Sequence, residues 1–162
     1  MFALLSSLIS LASAQQIAAP ALEWAEVLEA KPDAGVVADS ELRAAIEATG
    51  LPWRVRDRAS GIELLLVPPG KFLRGANGED QDAESSEKPQ REVTLSKAFY
   101  LGRREVTWAE WRSVMGIDPI VPQVDPQQPA WNMSCADIER FSARTGLRLP
   151  TETEWERACK AG

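Results

Sequence analysis

The stretch Leu147–Gly162, reading LRLPTETEWERACKAG, carries the densest local signal in the sequence and most narrows what the chain can become. Thr151 stands three residues before Glu154, the spacing of a capping box. The Thr hydroxyl can accept a first-turn N–H while the Glu carboxylate reaches back. Pro150 ends whatever precedes. Trp155, Ala158 and Cys159 fall at i, i+3, i+4, one apolar helical stripe. Glu156 and Lys160 form an i, i+4 pair in the favourable order. Gly162 stands where a helix closes. The expectation is a short, well-specified helix behind a strand-like Leu147–Leu149, with one apolar face that needs a partner.

Composition excludes several chemistries. The chain has 162 residues, enough for one domain with a core, and 44% hydrophobic against 26% charged residues is ordinary for a globular protein. Its net charge of -6 argues against a general nucleic-acid binder, whose footprint is a basic face. There are no histidines. That removes the usual general base, the Ser–His and Cys–His pairs, and imidazole metal ligands. Chemistry in such a chain must use carboxylates, thiols, the single Tyr100 or a cofactor. The two cysteines, Cys135 and Cys159, fit no zinc spacing; two inert buried thiols are one reading.

Met1 to Ala14 reads MFALLSSLISLASA. Phe2–Leu11 has the length of a signal-peptide core, and Ala12-Ser13-Ala14 is a cleavage signature that makes Gln15 the mature start. Lys and Arg are missing from its first residues, and a buried first helix is the alternative. The stretch is too short to span a membrane. A signal peptide at 1–14 implies a secreted or periplasmic protein with no membrane span after cleavage, in a compartment where disulfides form.

Residues 15–60 read as a helical N-terminal extension. Seven acids face two basic residues over 17–50. Pro20 suits a first helical turn, and Trp24, Val27 and Leu28 make one helical stripe. Ser40 can cap a second helix carrying Leu42, Ala45 and Ile46, closed by Gly50 and Pro52. Trp53–Ser60 alternates apolar or small residues with charged ones, including Arg54, Arg56 and Arg58. It reads as a solvated edge strand in preference to a basic binding strip.

Ile62–Val67 is an apolar run bounded by Gly61 and Pro68-Pro69-Gly70, a buried strand; Lys71–Arg74 resumes as strand. Asn77–Lys88 is acidic and reads as a solvated loop, since it does not keep an EF-hand register. Glu92–Leu95 and Ala98–Glu105 are strand-like. Thr107 with Glu110 is a second capping box, before a helix with Trp108, Trp111 and Met115 along one side that ends at Gly116. Core packing is the preferred role of the two tryptophans, a ligand groove the alternative. Ile117–Pro129, with four prolines, is a loop, and Trp131–Met133 a short strand. Ser134 and Asp137 cap a helix with Ile138 and Phe141 facing inward, closed by Gly146. The sum is a mixed α+β domain with low regular content.

Four stretches in order resemble the start of the formylglycine-generating enzyme family, the sulfatase-modifying factor domain. They are Leu66–Gly75 (LVPPGKFLRG), Glu87-Lys88-Pro89 through Val93-Thr94-Leu95, Phe99 through Glu105-Val106-Thr107, and Leu149–Trp155 (LPTETEW) with Glu156–Gly162. The resemblance implies a C-type-lectin-like fold. It makes residues 61–162 the N-terminal half of such a domain, a truncated piece, with residues 1–60 outside it. Catalytic members of the family oxidise a cysteine of a sulfatase-type client to formylglycine with molecular oxygen, use copper held by a cysteine pair, and carry structural calcium. The residues responsible belong to the second half of the domain. No catalytic, cofactor-binding or metal-ligating residue is therefore assigned here, and no copper or calcium is expected in this piece. Cys135 replaces a Trp of the family pattern. Cys159 stands where some members pair a structural cysteine with the second half, and by that resemblance it is unpaired. A Cys135–Cys159 disulfide and a two-thiol copper site are the alternatives.

Three functions follow from that resemblance. The complete protein is an oxidase of the formylglycine-generating type, with this piece inactive by itself. Alternatively it is a non-catalytic ligand- or protein-binding module on the same scaffold. A pathway enzyme of the same superfamily acting on small thiols requires a histidine-bearing partner domain, and the absence of histidine argues against it.

Overall fold

The computed structural model describes residues 22–77, 84–116 and 124–160. The leader Met1–Ala14, Pro20 and Gly162 lie outside them. Among the described residues the order is β1 (Ala25–Glu29), α1 (Ser40–Ala48), β2 (Arg54–Asp57), β3 (Glu63–Val67), β4 (Gly70–Arg74), a 3-10 turn at Ser85–Glu87, β5 (Arg91–Leu95), β6 (Phe99–Gly102), α2 (Trp108–Met115), α3 (Cys135–Thr145) and α4 (Glu152–Lys160). Two antiparallel sheets form, one ordered β1-β2-β3-β6 and the other β4-β5. This is the mixed α+β class that the patterning implies. No described helix is long and apolar enough to cross a membrane.

β3 organises the larger sheet. Leu64 and Leu66 stand two apart and so share one face. Leu64 joins Val55, Ile62, Trp108, Trp111, Met115 and Phe141 in one cluster; Leu66 joins Val37, Ile46 and Trp53 in another. Helices α2 and α3 thus cover one end of the apolar face and α1 the other. Trp108 is fully buried, and Trp111 stacks on Phe141 at 5.0 Å between ring centroids. The two tryptophans are core, as preferred from the sequence.

The opposite face carries a charge ladder. Arg54 reaches Glu29 at 2.6 Å and Glu63 at 2.8 Å; Arg56 reaches Glu63 at 3.1 Å and Glu26 at 3.3 Å; Arg103 joins Glu63 at 3.1 Å. Strand pairing sets this up, because Arg56 sits opposite both Glu26 and Glu63. Cross-strand pairs of opposite charge are stabilising in this geometry.

Several expectations need correction. The helix expected at Trp24–Leu28 is strand β1. Five residues nucleate a helix poorly, whereas the β2 edge supplies a ready ladder in which Ala25 pairs with Asp57 and Val27 with Val55. The supposed helical extension over 15–60 is therefore helical, where described, chiefly at α1, and β1 and β2 are built into the sheet. β2 lies between β1 and β3, so it is no edge strand. The α1 cap is Asp39, not Ser40: its carboxylate accepts the Glu41 N–H at 2.7 Å and the Leu42 N–H at 3.3 Å. Trp131–Met133 forms no strand, because Asn132 turns left-handed at φ 64, a conformation asparagine tolerates better than most residues. The capping boxes at Thr107–Glu110 and Ser134–Asp137 both form, and Gly116 and Gly146 close their helices left-handed.

The hydrogen bond from Arg54, with further ones from Arg56 and Arg103, holds the Glu63 carboxyl at about 2, below its ordinary 4.5. A lowered native value means that its stabilising effect is complete above the unfolded value and fades as pH falls. Glu63→Gln should cost about 1–3 kcal/mol at neutral pH. It should also flatten the loss of stability between about pH 4.5 and about pH 2. Urea unfolding followed by tryptophan fluorescence across that range measures both.

Candidate functional site

A broad groove lies where α4 meets the second sheet. It encloses about 920 Å3 and is open to solvent, with walls from the end of β4, the segment Glu87–Arg91 and the start of α4. Its size falls within the range of ligand sites.

Local sequence explains each wall. Thr151 and Glu154 form the expected capping box: the Glu154 carboxylate accepts the Thr151 N–H at 2.8 Å, and the Thr151 hydroxyl accepts the Glu154 N–H at 3.2 Å. Arg148 grips the same carboxylate with two nitrogens, at 2.7 and 2.6 Å. This Arg148 contact is the main reason the Glu154 carboxyl sits at about 2, with burial opposing it and Thr151 adding to the pull. Along α4, Glu156 accepts the Gly75 N–H at 2.6 Å and pairs with Lys160 at 2.8 Å and Arg74 at 3.4 Å. Partial burial pushes the Glu156 carboxyl up; Lys160, the Gly75 N–H and Arg74 outweigh it and hold the group below its usual range. Arg74 also reaches Glu152 at 2.8 Å. Lys160 donates to the carbonyls of Leu73 and Gly75.

Gly75 is the point where the walls join. It turns at φ 95, and a Cβ there would stand 2.4 Å from the Glu87 carbonyl oxygen. Only glycine suits both the turn and the close approach. The next residue, Ala76, donates its N–H to that same carbonyl at 2.9 Å.

These contacts decide what the groove can do chemically. Glu154 and Glu156 are held ionised, and Glu152 is engaged by Arg74, so the three act as caps and braces. Tyr100, the single tyrosine, donates to the Pro52 carbonyl at 2.7 Å, and burial pushes its hydroxyl up to about 12. It is no acid or base at neutral pH. Two large apolar side chains also stand open at this groove: Leu149 and Trp155 are 63% and 57% exposed.

Of the candidates singled out in the sequence, Cys135 opens α3 and Cys159 lies near the end of α4; both are exposed and free, so the inert-buried reading and the disulfide do not hold. Arg54 and Arg56 are taken up in the ladder. Part of the acidic loop Asn77–Lys88 lies outside the described residues. The structure adds Arg74 and Gly75, which sequence reasoning did not connect to α4, and gives Lys160 a second role on the Leu73 and Gly75 carbonyls. Their contacts bridge more than eighty residues, and the one local hint was Gly75 ending an extended run.

With this geometry in view, comparison with known proteins places the chain. The family model of the sulfatase-modifying factor enzyme 1-like domain matches residues 52–162, and the chain belongs to that family. The match begins at residue 52 and so takes in β2, nine residues before the boundary drawn from the sequence. A hercynine oxygenase of Mycolicibacterium smegmatis is 26% identical over 148 aligned residues, covering 68% of this chain and 34% of that protein. A hercynine oxygenase of Mycolicibacterium thermoresistibile is 29% identical over 132, covering 59% and 29%. The chain thus spans about a third of the length of the curated relatives it matches. The solved structure of PvdO from Pseudomonas aeruginosa is 24% identical with a TM-score of 0.48, covering 59% of this chain and 45% of that one.

The copper and calcium of catalytic family members do not fit the residues described here. Among the described residues no group of three or more His, Cys, Asp or Glu side chains is placed to hold a metal. The two thiols sit on separate helices, and the groove carboxylates of Glu152 and Glu156 are engaged by Arg74 and Lys160.

Gly75→Ala should destabilise the protein by more than about 1 kcal/mol, since strain at positive φ and a backbone clash add together. Amide hydrogen exchange checks the location of the damage: protection should fall in α4 and the β4–β5 pair, with the β2–β3 amides little changed.

Proposed function

We propose that this chain supplies the first part of an oxygen-using oxidoreductase domain of the sulfatase-modifying factor class. In this reading it builds the scaffold and one groove wall, while the reacting groups come from residues beyond those described. The family match over residues 52–162 carries the proposal. The names of the curated relatives, both oxygenases, support the reaction class. The half-open Leu149 and Trp155 support the view that α4 presents a surface for further sequence or for a client. The proposed client is a protein cysteine of the sulfatase type, oxidised to formylglycine. The leader Met1–Ala14 directs the protein to a secreted or periplasmic location in the same reading.

A second reading, a non-catalytic binding module on the same scaffold, rests on the open groove of about 920 Å3 beside the exposed Leu149 and Trp155.

The test separates the two. The product of the native gene and residues 1–162 are each supplied with copper(I), oxygen and a cysteine-bearing sulfatase-type peptide, and formylglycine is followed by mass spectrometry. Formylglycine from the native product, with none from 1–162, is the expected result. Saturable peptide binding without formylglycine in either sample would establish the binding module. Turnover by 1–162 alone would show that the reacting groups lie within it and would overturn their placement elsewhere.

A further inference from the structure

A second groove lies on the other side of α4, away from the junction at Gly75. It encloses about 460 Å3 between α1 with the loop before it, the ends of β3 and β6, and the side of α4 that carries Arg157 and Ala158. Val37, Leu42, Ile46, Leu66, Val67 and Pro68 give it apolar walls. Volume and lining match those of small-ligand sites, in which a few placed polar groups fix orientation.

Three charged side chains line this groove. Asp39 is engaged in capping α1. Arg103 is paired with Glu63 at 3.1 Å. Arg157 differs from both: no carboxylate among the described residues pairs with it, and its Nε is buried without a hydrogen-bond partner. Its guanidinium lies 5.8 Å from the Phe72 ring centroid. Gly70 leaves room for it, since a Cβ there would stand 3.3 Å from the Arg157 Nη2. The guanidinium thus carries a charge with no carboxylate beside it among the described residues, at the wall of an apolar groove, and an anion meeting its outer nitrogens offsets the cost of that charge.

We propose that this groove binds an alkyl carboxylate of the short fatty-acid class. The chain lies along Val37, Leu42, Ile46 and Val67, and the carboxylate meets Arg157. A planar guanidinium offers a carboxylate paired donors, which a lysine would not. The apolar walls select the chain, and Arg157, the one cation of the groove without a carboxylate partner among the described residues, selects the head group. Nothing in this inference depends on the oxidase reading, because the two grooves lie on opposite sides of α4.

The experiment titrates the protein with octanoate and with octanol, the same chain without the charge. Binding is followed by calorimetry and by the fluorescence of the tryptophans, of which Trp53 lines the groove. Octanoate should bind saturably and at least about tenfold more tightly than octanol. Arg157→Gln should weaken octanoate about tenfold and leave octanol unchanged, with circular dichroism confirming the fold. Equal affinity of the native chain for octanoate and octanol would overturn the proposal. So would undiminished octanoate binding by a folded Arg157→Gln, or no saturable octanoate binding at all. If the variant does not fold, the octanoate–octanol comparison on the native chain decides alone.

Discussion

Both halves of the core hang on one pair of side chains. Leu64 and Leu66 project from the same face of β3, the first into the cluster under α2 and α3, the second into the cluster under α1. β3 is also hydrogen-bonded on both edges, to β2 and to β6. Burying a leucine is worth roughly 1.5–3 kcal/mol, and here two such terms fix the register of a strand that two others depend on. A one-residue slip would turn the charge ladder inward and the leucines outward. The ladder on the far face adds a second penalty to the same error, since Glu63 meets three arginines only in this register.

Sequence made local features legible and long-range ones not. The capping boxes at Thr107, Ser134 and Thr151 were readable because the partners lie three residues apart and the chemistry is self-contained. The buried strand at Glu63–Val67 was readable because an apolar run between glycine and proline has few other uses. β1 was misread because Trp24, Val27 and Leu28 satisfy a helical spacing over too few residues to decide. The winning term, pairing with β2, lies thirty residues away in the chain. The same distance hid the central position of β2: without β1, its arginines look like a solvated edge.

The candidate site was legible in part. The helix Glu152–Lys160 and its Thr151–Glu154 cap stood out. What fixes the helix to the domain was invisible, because Glu156 reaches Gly75 and Lys160 reaches Leu73 across most of the described chain. Family resemblance supplied what periodicity could not, namely that LPTETEW and LVPPGKFLRG belong to one domain.

The attachment of α4 is unlike that of the other helices. Each of α1, α2 and α3 contributes at least one buried apolar side chain, and α4 contributes none. It is held by ion pairs and by hydrogen bonds to the backbone around Gly75. Exposed pairs are worth only about 0–1 kcal/mol each, so the specificity of the junction comes from geometry: one carboxylate on a buried-side N–H, one ammonium on two carbonyls, one glycine that lets the backbones approach. An element secured in this way is free to present both of its flanks. One flank, with Trp155, closes the larger groove; the other, with Arg157 and Ala158, closes the smaller. A helix anchored by apolar burial would have given up one of those faces to the core. The polar anchoring of α4 is thus what allows a single short helix to wall two grooves of different chemistry.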